Sequence, residues 1–114
     1  MSKRRIFDTE NHAQFVTFSC FCRRRLLDHS RMRDDFVAIT TEKLREHQGI
    51  CSGFVVMPNH IHAILWFGTA DSLSPFMKSW KQTSSIRLKR VLRGVAPHYA
   101  AKIPPTEPFW QPKY

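Results

Sequence analysis

The stretch at residues 55–66 constrains the fold of this chain more than any other. Two runs rich in Val and Ile flank the pair Pro58-Asn59. A Pro-Asn pair between such runs is typical of a tight turn that joins two antiparallel strands. The stretch therefore predicts a β-hairpin whose second strand begins at His60.

The second strand of this hairpin has one apolar face and one face with two histidines, because side chains on a strand alternate between faces. The apolar positions, which must face the core, are Ile61, Ala63, Leu65 and Phe67. On the other face, His60 and His62 lie roughly 6.5–7 Å apart along the strand. Two neutral imidazoles at this spacing can bind one divalent metal ion. The alternative is a pair of half-buried histidines bonded to backbone or water; the preceding turn and the basic chain favour the metal site.

The charge of the chain indicates the class of its partner. Its 114 residues, enough for one domain, include 18 Lys and Arg against 9 Asp and Glu, a net charge of +9. Such an excess favours a polyanion or an anionic membrane surface. The sequence has neither a spanning run of about 18 apolar residues nor the apolar stretch of a secretory signal. We therefore expect a cytoplasmic protein that binds nucleic acid and no membrane.

The three cysteines fit a reduced, cytosolic protein. Cys20, Cys22 and Cys51 are odd in number and form no Cys-x-x-Cys pair, which argues against a disulfide framework. A zinc site that combines Cys20 and Cys22 with histidines is the less favoured alternative, because free cysteine is commonly a small buried apolar residue.

The first half of the chain predicts two strands with a helix between them. Residues 1–11 are polar and predict a loose arm, and residues 15–21 predict the first strand. Helical spacing of apolar residues begins at Ser30, a plausible N-cap, and Gly49 is a natural stop. The next strand, residues 50–57, contains Gly53, which indicates a bulge.

The second half completes the order strand, helix, strand, strand, helix. The second helix is predicted from Ser72 or Ser74 to about Arg93, where Gly94 ends it. Residues 95–114 hold five of the seven prolines and predict an extended segment, anchored by Phe109 and Trp110. The order predicts an α+β domain, a ferredoxin-like antiparallel sheet with two helices on one face.

Two groups of basic residues are candidates for phosphate contacts; for each, the alternative is a solvated surface. The first, after the first strand, is Arg23, Arg24 and Arg25. The second lies opposite the apolar stripe of the second helix and includes Lys78, Lys81, Lys89 and Arg93.

The element Met57-Pro58-Asn59-His60-Ile61-His62 resembles the signature of the single-tyrosine HUH transposases, the IS200-like group with its REP-associated tyrosine transposase branch. The resemblance extends from about residue 12 to the last residue. Weaker supporting pieces occur in the same order: Phe15-Val16-Thr17-Phe18, Arg23-Arg24, Leu26-Leu27, Gly53-Phe54-Val55-Val56, Phe76-Met77, Lys81 and Phe109-Trp110-Gln111-Pro112.

This resemblance implies the HUH endonuclease fold and a DNA transposase or recombinase. A tyrosine hydroxyl would attack a phosphodiester of single-stranded, usually hairpin, DNA and form a 5′-phosphotyrosine link. Mg²⁺ or Mn²⁺, held by His60, His62 and a further polar ligand, would polarise the phosphate. Members act as monomers or as homodimers. Two alternatives remain open: a non-catalytic nucleic-acid-binding module, and a metal-dependent nuclease that uses water.

The end of the chain departs from the family pattern. There, two aromatic positions follow the Trp-Gln pair, and the second is the tyrosine that opens a helix. Here Trp110-Gln111 is followed by Pro112, Lys113 and Tyr114. Tyr114 is a candidate nucleophile, but a terminal residue lacks the helix that would position it. A packing aromatic is therefore the favoured interpretation, and we expect little or no covalent adduct. We expect a single HUH domain at residues 1–114 that lacks the tyrosine helix.

Overall fold

The protein, a computed structural model, is described at residues 13–69 and 71–112. Its strands are β1 (Gln14–Ser19), β2 (Ile50–Val56) and β3 (His60–Trp66), and its helices are α1 (Ser30–Glu46), α2 (Leu73–Val95) and α3 (Pro97–Ala101). A 3₁₀ turn at Phe21–Arg23 follows β1. None of the helices in these residues is long and apolar enough to cross a membrane.

The three strands form an antiparallel sheet in the order β1-β3-β2. The hairpin of β2 and β3 places β3 in the centre, so β3 pairs with both neighbours. The register shifts between Cys51 and Gly53, which confirms the bulge. With helices packed on one face of the sheet, the α+β class and the predicted order of strands and helices are confirmed.

The core lies between α1, α2 and one face of the sheet. The predicted inward residues of β3 are buried: Ile61, Ala63, Leu65 and, just beyond the strand, Phe67. Phe18 of β1 lies edge-on to the rings of Trp80 and Trp110, at centroid distances of 5.0 and 4.7 Å. Each buried indole N–H donates to a hydroxyl at 2.8 Å, Trp80 to Thr40 and Trp110 to Ser84. The aromatic centre is therefore packed without unsatisfied indole groups.

Both ends of α1 differ from the prediction. His29, not Ser30, is the N-cap, and its Nδ1 accepts from the N–H of Arg31. At the other end, Gln48 rather than Gly49 takes the left-handed conformation, with φ 56°. Gly49 is needed for space instead, because a Cβ there would lie 2.5 Å from Cε1 of Phe67.

The segment after α2 is only partly extended. Gly94 lies inside α2, which ends at Val95, and α3 begins at Pro97. Proline suits the first turn of a helix, where its missing N–H has no partner to lose. The prediction of a wholly extended tail was wrong for these residues.

The anchors Phe109 and Trp110 are buried as predicted. Trp110 forms a bridge with Cys20, and the N–H of Gln111 donates to the carbonyl of Ser19 at 2.8 Å. The chain thus returns to the free edge of β1, the position next to the first strand in a β-α-β-β-α-β arrangement. This contact brings Gln111 beside the strand position that pairs with His60.

Candidate active site

His60 and His62 lie side by side on the open face of the sheet. Within the antiparallel register, His60 is opposite Ser19 and His62 is opposite Thr17. Their ring centroids are 4.9 Å apart and the ring planes are nearly perpendicular, at 85°. The side chains therefore converge more closely than the spacing of their backbone positions, as one shared ligand requires.

Each histidine is oriented by a hydrogen bond at Nδ1. Nδ1 of His60 lies 2.7 Å from Oδ1 of Asn59, and because a carbonyl oxygen only accepts, this nitrogen carries the proton. Nδ1 of His62 lies 2.9 Å from Oγ1 of Thr17, a hydroxyl that accepts the hydrogen bond when this nitrogen carries the proton. Second partners of this kind orient metal-binding histidines in proteins. The arrangement leaves Nε2 of both rings available as a metal ligand.

The pKa of His60 lies below its usual value. Partial burial is the main cause, and the positive charges of His62 and Arg23 add to it. A lowered pKa keeps the imidazole neutral, and only the neutral form can bind a metal ion.

The two histidines fit a divalent ion, but they do not complete its coordination. In residues 13–69 and 71–112, no group of three or more His, Cys, Asp or Glu side chains is placed to hold a metal ion. The zinc alternative receives no support. Cys20 is fully buried, and burial raises the pKa of its thiol to about 12, so that it acts as the small apolar residue of the favoured interpretation.

The three consecutive arginines have different surroundings in the structure. Arg24 binds Glu107 through two contacts, at 2.6 and 3.0 Å, and Arg25 pairs with Asp28 at 3.1 Å. Arg23 is exposed and has no ion pair among the residues that the structure describes. Of these three arginines, Arg23 is the one whose charge contributes to the lowered pKa of His60.

The basic residues of α2 do not form one surface either. Lys78 is exposed. Lys81 is half-buried: its Nζ lies 5.1 Å from the ring centroid of Phe18 and donates to the carbonyl of Gln111 at 3.3 Å. Lys89 and Arg93 border an apolar cavity of about 460 Å³ between α2, α3 and the prolines after it. The helix α2 also packs on the face of the sheet opposite to the histidines.

Sequence reasoning did not identify the apolar part of the open face as functional. Phe15 is 80% exposed and lies opposite Ile64, two positions along β3 from His62. Val55, opposite His62, and Trp66 are also exposed. The sequence contained the information to identify this surface, because these strands carry apolar residues at positions that must point away from the core. Tyr114, the candidate nucleophile, lies outside the described residues.

Comparisons with known proteins agree with this fold. A family model described as "Transposase IS200 like" matches residues 8–114. A candidate transposase from Deinococcus radiodurans R1 shares the fold with a TM-score of 0.72 and 18% identity, over 99% of this chain and 82% of that one. A REP-associated tyrosine transposase bound to a REP hairpin does so with a TM-score of 0.64 and 19% identity. That match covers 99% of this chain but 59% of the other, so this chain spans about three fifths of its length. A comparison with curated proteins gave no significant match.

Proposed function

Since the chain belongs to the IS200-like transposase family, we propose that it cleaves and rejoins single-stranded DNA through a 5′-phosphotyrosine intermediate. The observation that carries this proposal is the pair His60 and His62, whose Nδ1 atoms are both occupied by neighbours so that both Nε2 atoms are left for a ligand. Residues 1–114 would form one domain that acts in the cytoplasm, as a monomer or a homodimer.

His60 and His62 would hold Mg²⁺ or Mn²⁺, which when bound would polarise the scissile phosphate and stabilise the leaving oxygen. Asn59 and Thr17 keep the two imidazoles in the orientation that this requires. In the reaction, the tyrosine hydroxyl loses its proton as its oxygen bonds to phosphorus. The bond from phosphorus to the 3′ oxygen breaks, and that oxygen leaves with a proton as a 3′-hydroxyl. Tyr114 is the candidate nucleophile.

The substrate would be a DNA hairpin with an unpaired flank. The net charge of +9 favours a polyanion, and one structural neighbour was solved with a REP hairpin. The exposed rings of Phe15 and Trp66 beside the histidines would stack on unpaired bases, which bind aromatic surfaces with little dependence on sequence. Arg23, Arg24, Arg25, Lys78, Lys81, Lys89 and Arg93 remain candidates for phosphate contacts.

A second candidate function is DNA binding without cleavage. It is favoured by one observation, that the described residues include no group of three or more His, Cys, Asp or Glu side chains placed to hold a metal ion. In that case the histidines and the open face would still bind a DNA strand, but no covalent link would form.

A cleavage assay separates these functions. Hairpin DNA with a labelled single-stranded flank is incubated with the protein and Mn²⁺ and then resolved on a denaturing gel. A labelled protein–DNA adduct that is lost in Tyr114→Phe and kept in Tyr99→Phe, the other tyrosine of the chain, would support the phosphotyrosine reaction with Tyr114 as its nucleophile. Cleaved ends without an adduct would indicate a nuclease that uses water. Binding without cleavage would indicate the non-catalytic module.

A further inference from the structure

We propose that Arg23 is a catalytic residue that binds the scissile phosphate beside His60, whereas Arg24 and Arg25 hold the loop around it in place. This inference rests on the proposed function, because it assigns a contact within the same site. The three arginines are consecutive in the sequence, and the proposal assigns them separate roles.

The loop that carries Arg23 is bonded to the histidine site on both sides. Before Arg23, the N–H of Cys20 donates to the carbonyl of Asn59 at 2.9 Å. After it, the N–H of Leu27 donates to the carbonyl of Pro58, also at 2.9 Å. Pro58 and Asn59 form the turn that leads directly into His60. Both ends of the loop are therefore fixed to the turn, and Arg23 is held at the rim of the site.

The backbone at this point is held in an unfavourable conformation. Cys22 and Arg23 have φ values of 53° and 52°, in the left-handed region that glycine adopts most easily. The surroundings maintain it: the N–H of Cys22 donates to Oε1 of Gln111, and the N–H of Arg23 donates to the carbonyl of Cys20. Strain of this kind is concentrated at functional sites. Arginine at a position whose backbone conformation favours glycine therefore indicates a role for its side chain.

The charges around the loop leave Arg23 as the guanidinium available to a ligand. Arg24 is occupied by Glu107 and Arg25 by Asp28. No ion pair among the described residues places a carboxylate against Arg23, His60 or His62. The site therefore has uncompensated positive charge, and a metal ion would add more. A phosphate supplies the missing anion, and a guanidinium can bind two of its oxygens at once.

Arg23 would act most strongly when negative charge builds up on the phosphate oxygens during attack. The test measures the cleavage rate at saturating hairpin DNA with Mn²⁺, the affinity for uncut DNA, and the melting temperature. In Arg23→Gln we expect the rate to fall about 100- to 1,000-fold, with affinity changed by less than about tenfold. Arg23→Lys keeps the charge but loses the bidentate contact, so its cleavage rate should lie between those of the wild type and Arg23→Gln. Arg45→Gln, which removes an exposed arginine of α1, should leave both quantities unchanged.

Arg23→Gly distinguishes a catalytic role from a structural one. Because glycine suits a φ of 52°, its melting temperature should equal or exceed that of the wild type while its cleavage rate falls as in Arg23→Gln. A wild-type rate in Arg23→Gln, or a rate loss no larger than the affinity loss, would overturn the proposal. So would a melting temperature of Arg23→Gly below the wild type.

A double-variant cycle of DNA-binding affinities tests the contact between Arg23 and a phosphate. It applies even if the wild-type chain binds DNA without cutting it. Single uncharged methylphosphonates are placed along the unpaired flank of the hairpin. At the position that Arg23 contacts, the combined loss of binding free energy from the methylphosphonate and Arg23→Gln should be smaller than the sum of the two separate losses. With Arg45→Gln, the combined loss should equal that sum at every position. Additivity of Arg23→Gln throughout would overturn the contact while leaving the proposed DNA binding intact.

Discussion

The Oγ1 atom of Thr17 lies 2.9 Å from Nδ1 of His62, so a residue of the neighbouring strand orients the second histidine of the site. Asn59 holds His60 in the same way from the adjacent position in the chain. The two imidazoles thus depend on different supports, one from the sheet register and one from the hairpin turn. Their contributions can be removed separately.

Thr17→Val should weaken Mn²⁺ binding about 10- to 100-fold, the effect typical of losing a second partner of a metal-binding histidine. The isosteric change removes the Oγ1 hydroxyl and its hydrogen bond to Nδ1 without a change in shape. Calorimetric titration with Mn²⁺ measures it. Thr41→Val is the matched control, because Thr41 is exposed on α1 and its hydroxyl donates to the carbonyl of Val37 in the same helix. Equal affinities in wild type and Thr17→Val would show that this hydrogen bond does not support metal binding.

Phe15→Ala should lower the affinity for single-stranded DNA by about 5- to 150-fold, since stacking of one base is worth about 1–3 kcal/mol. Its stability should hardly change, because the ring is 80% exposed. Fluorescence anisotropy with a labelled flank measures the affinity. Ile86→Ala removes a similarly exposed apolar side chain from α2 and should bind normally. If both variants bind alike, the open face is not the surface that holds the bases.

Gly49→Ala should destabilise the fold by about 1–3 kcal/mol, the usual cost of overpacking a core. The added Cβ would meet Phe67 at 2.5 Å and Leu44 at 3.0 Å. Gly94→Ala is the control: nothing lies within 4 Å of its Cβ position, and alanine in a helix should stabilise by up to about 1 kcal/mol. Urea denaturation compares the two. A Gly49→Ala protein as stable as wild type would refute the packing role.

The ion pair of Arg24 and Glu107 should make stability depend on pH. Arg24 holds the pKa of Glu107 below its ordinary value of 4.5, so the ionised carboxylate stabilises the folded state at higher pH. This contribution is present above pH 4.5 and is lost as pH falls through the lowered pKa. The melting temperature of Glu107→Gln should therefore lie below the wild type at pH 7 and approach it near pH 3. A difference that does not change between these pH values would contradict the assignment.

The faces of the sheet could be predicted because alternation along a strand is a local property. Ile61 and His60 differ in polarity at neighbouring positions, and burial follows directly from that difference. Phe109 and Trp110 were predicted on a different ground, as large aromatic anchors of a proline-rich tail, and both are buried.

Long-range pairing could not be predicted in this way. Arg24 has the same local context as Arg23, and it differs through its ion pair with Glu107, far along the chain. The partner of Arg25, Asp28, is local. Lys81 was expected on the solvated face of α2, but the returning tail covers it. Gln48 adopts a positive φ although glycine follows it, and Gly49 provides space for the ring of Phe67.

The most direct test of this account is Mn²⁺ binding by the histidine pair. Paramagnetic broadening of imidazole signals during titration should affect His60 and His62 together at low Mn²⁺, with the exposed His98 unaffected as an internal control. The double variant His60→Ala, His62→Ala should lose both this binding and Mn²⁺-dependent DNA cleavage, while His98→Ala retains them. Unchanged Mn²⁺ affinity in the double variant would contradict the assignment of the metal site.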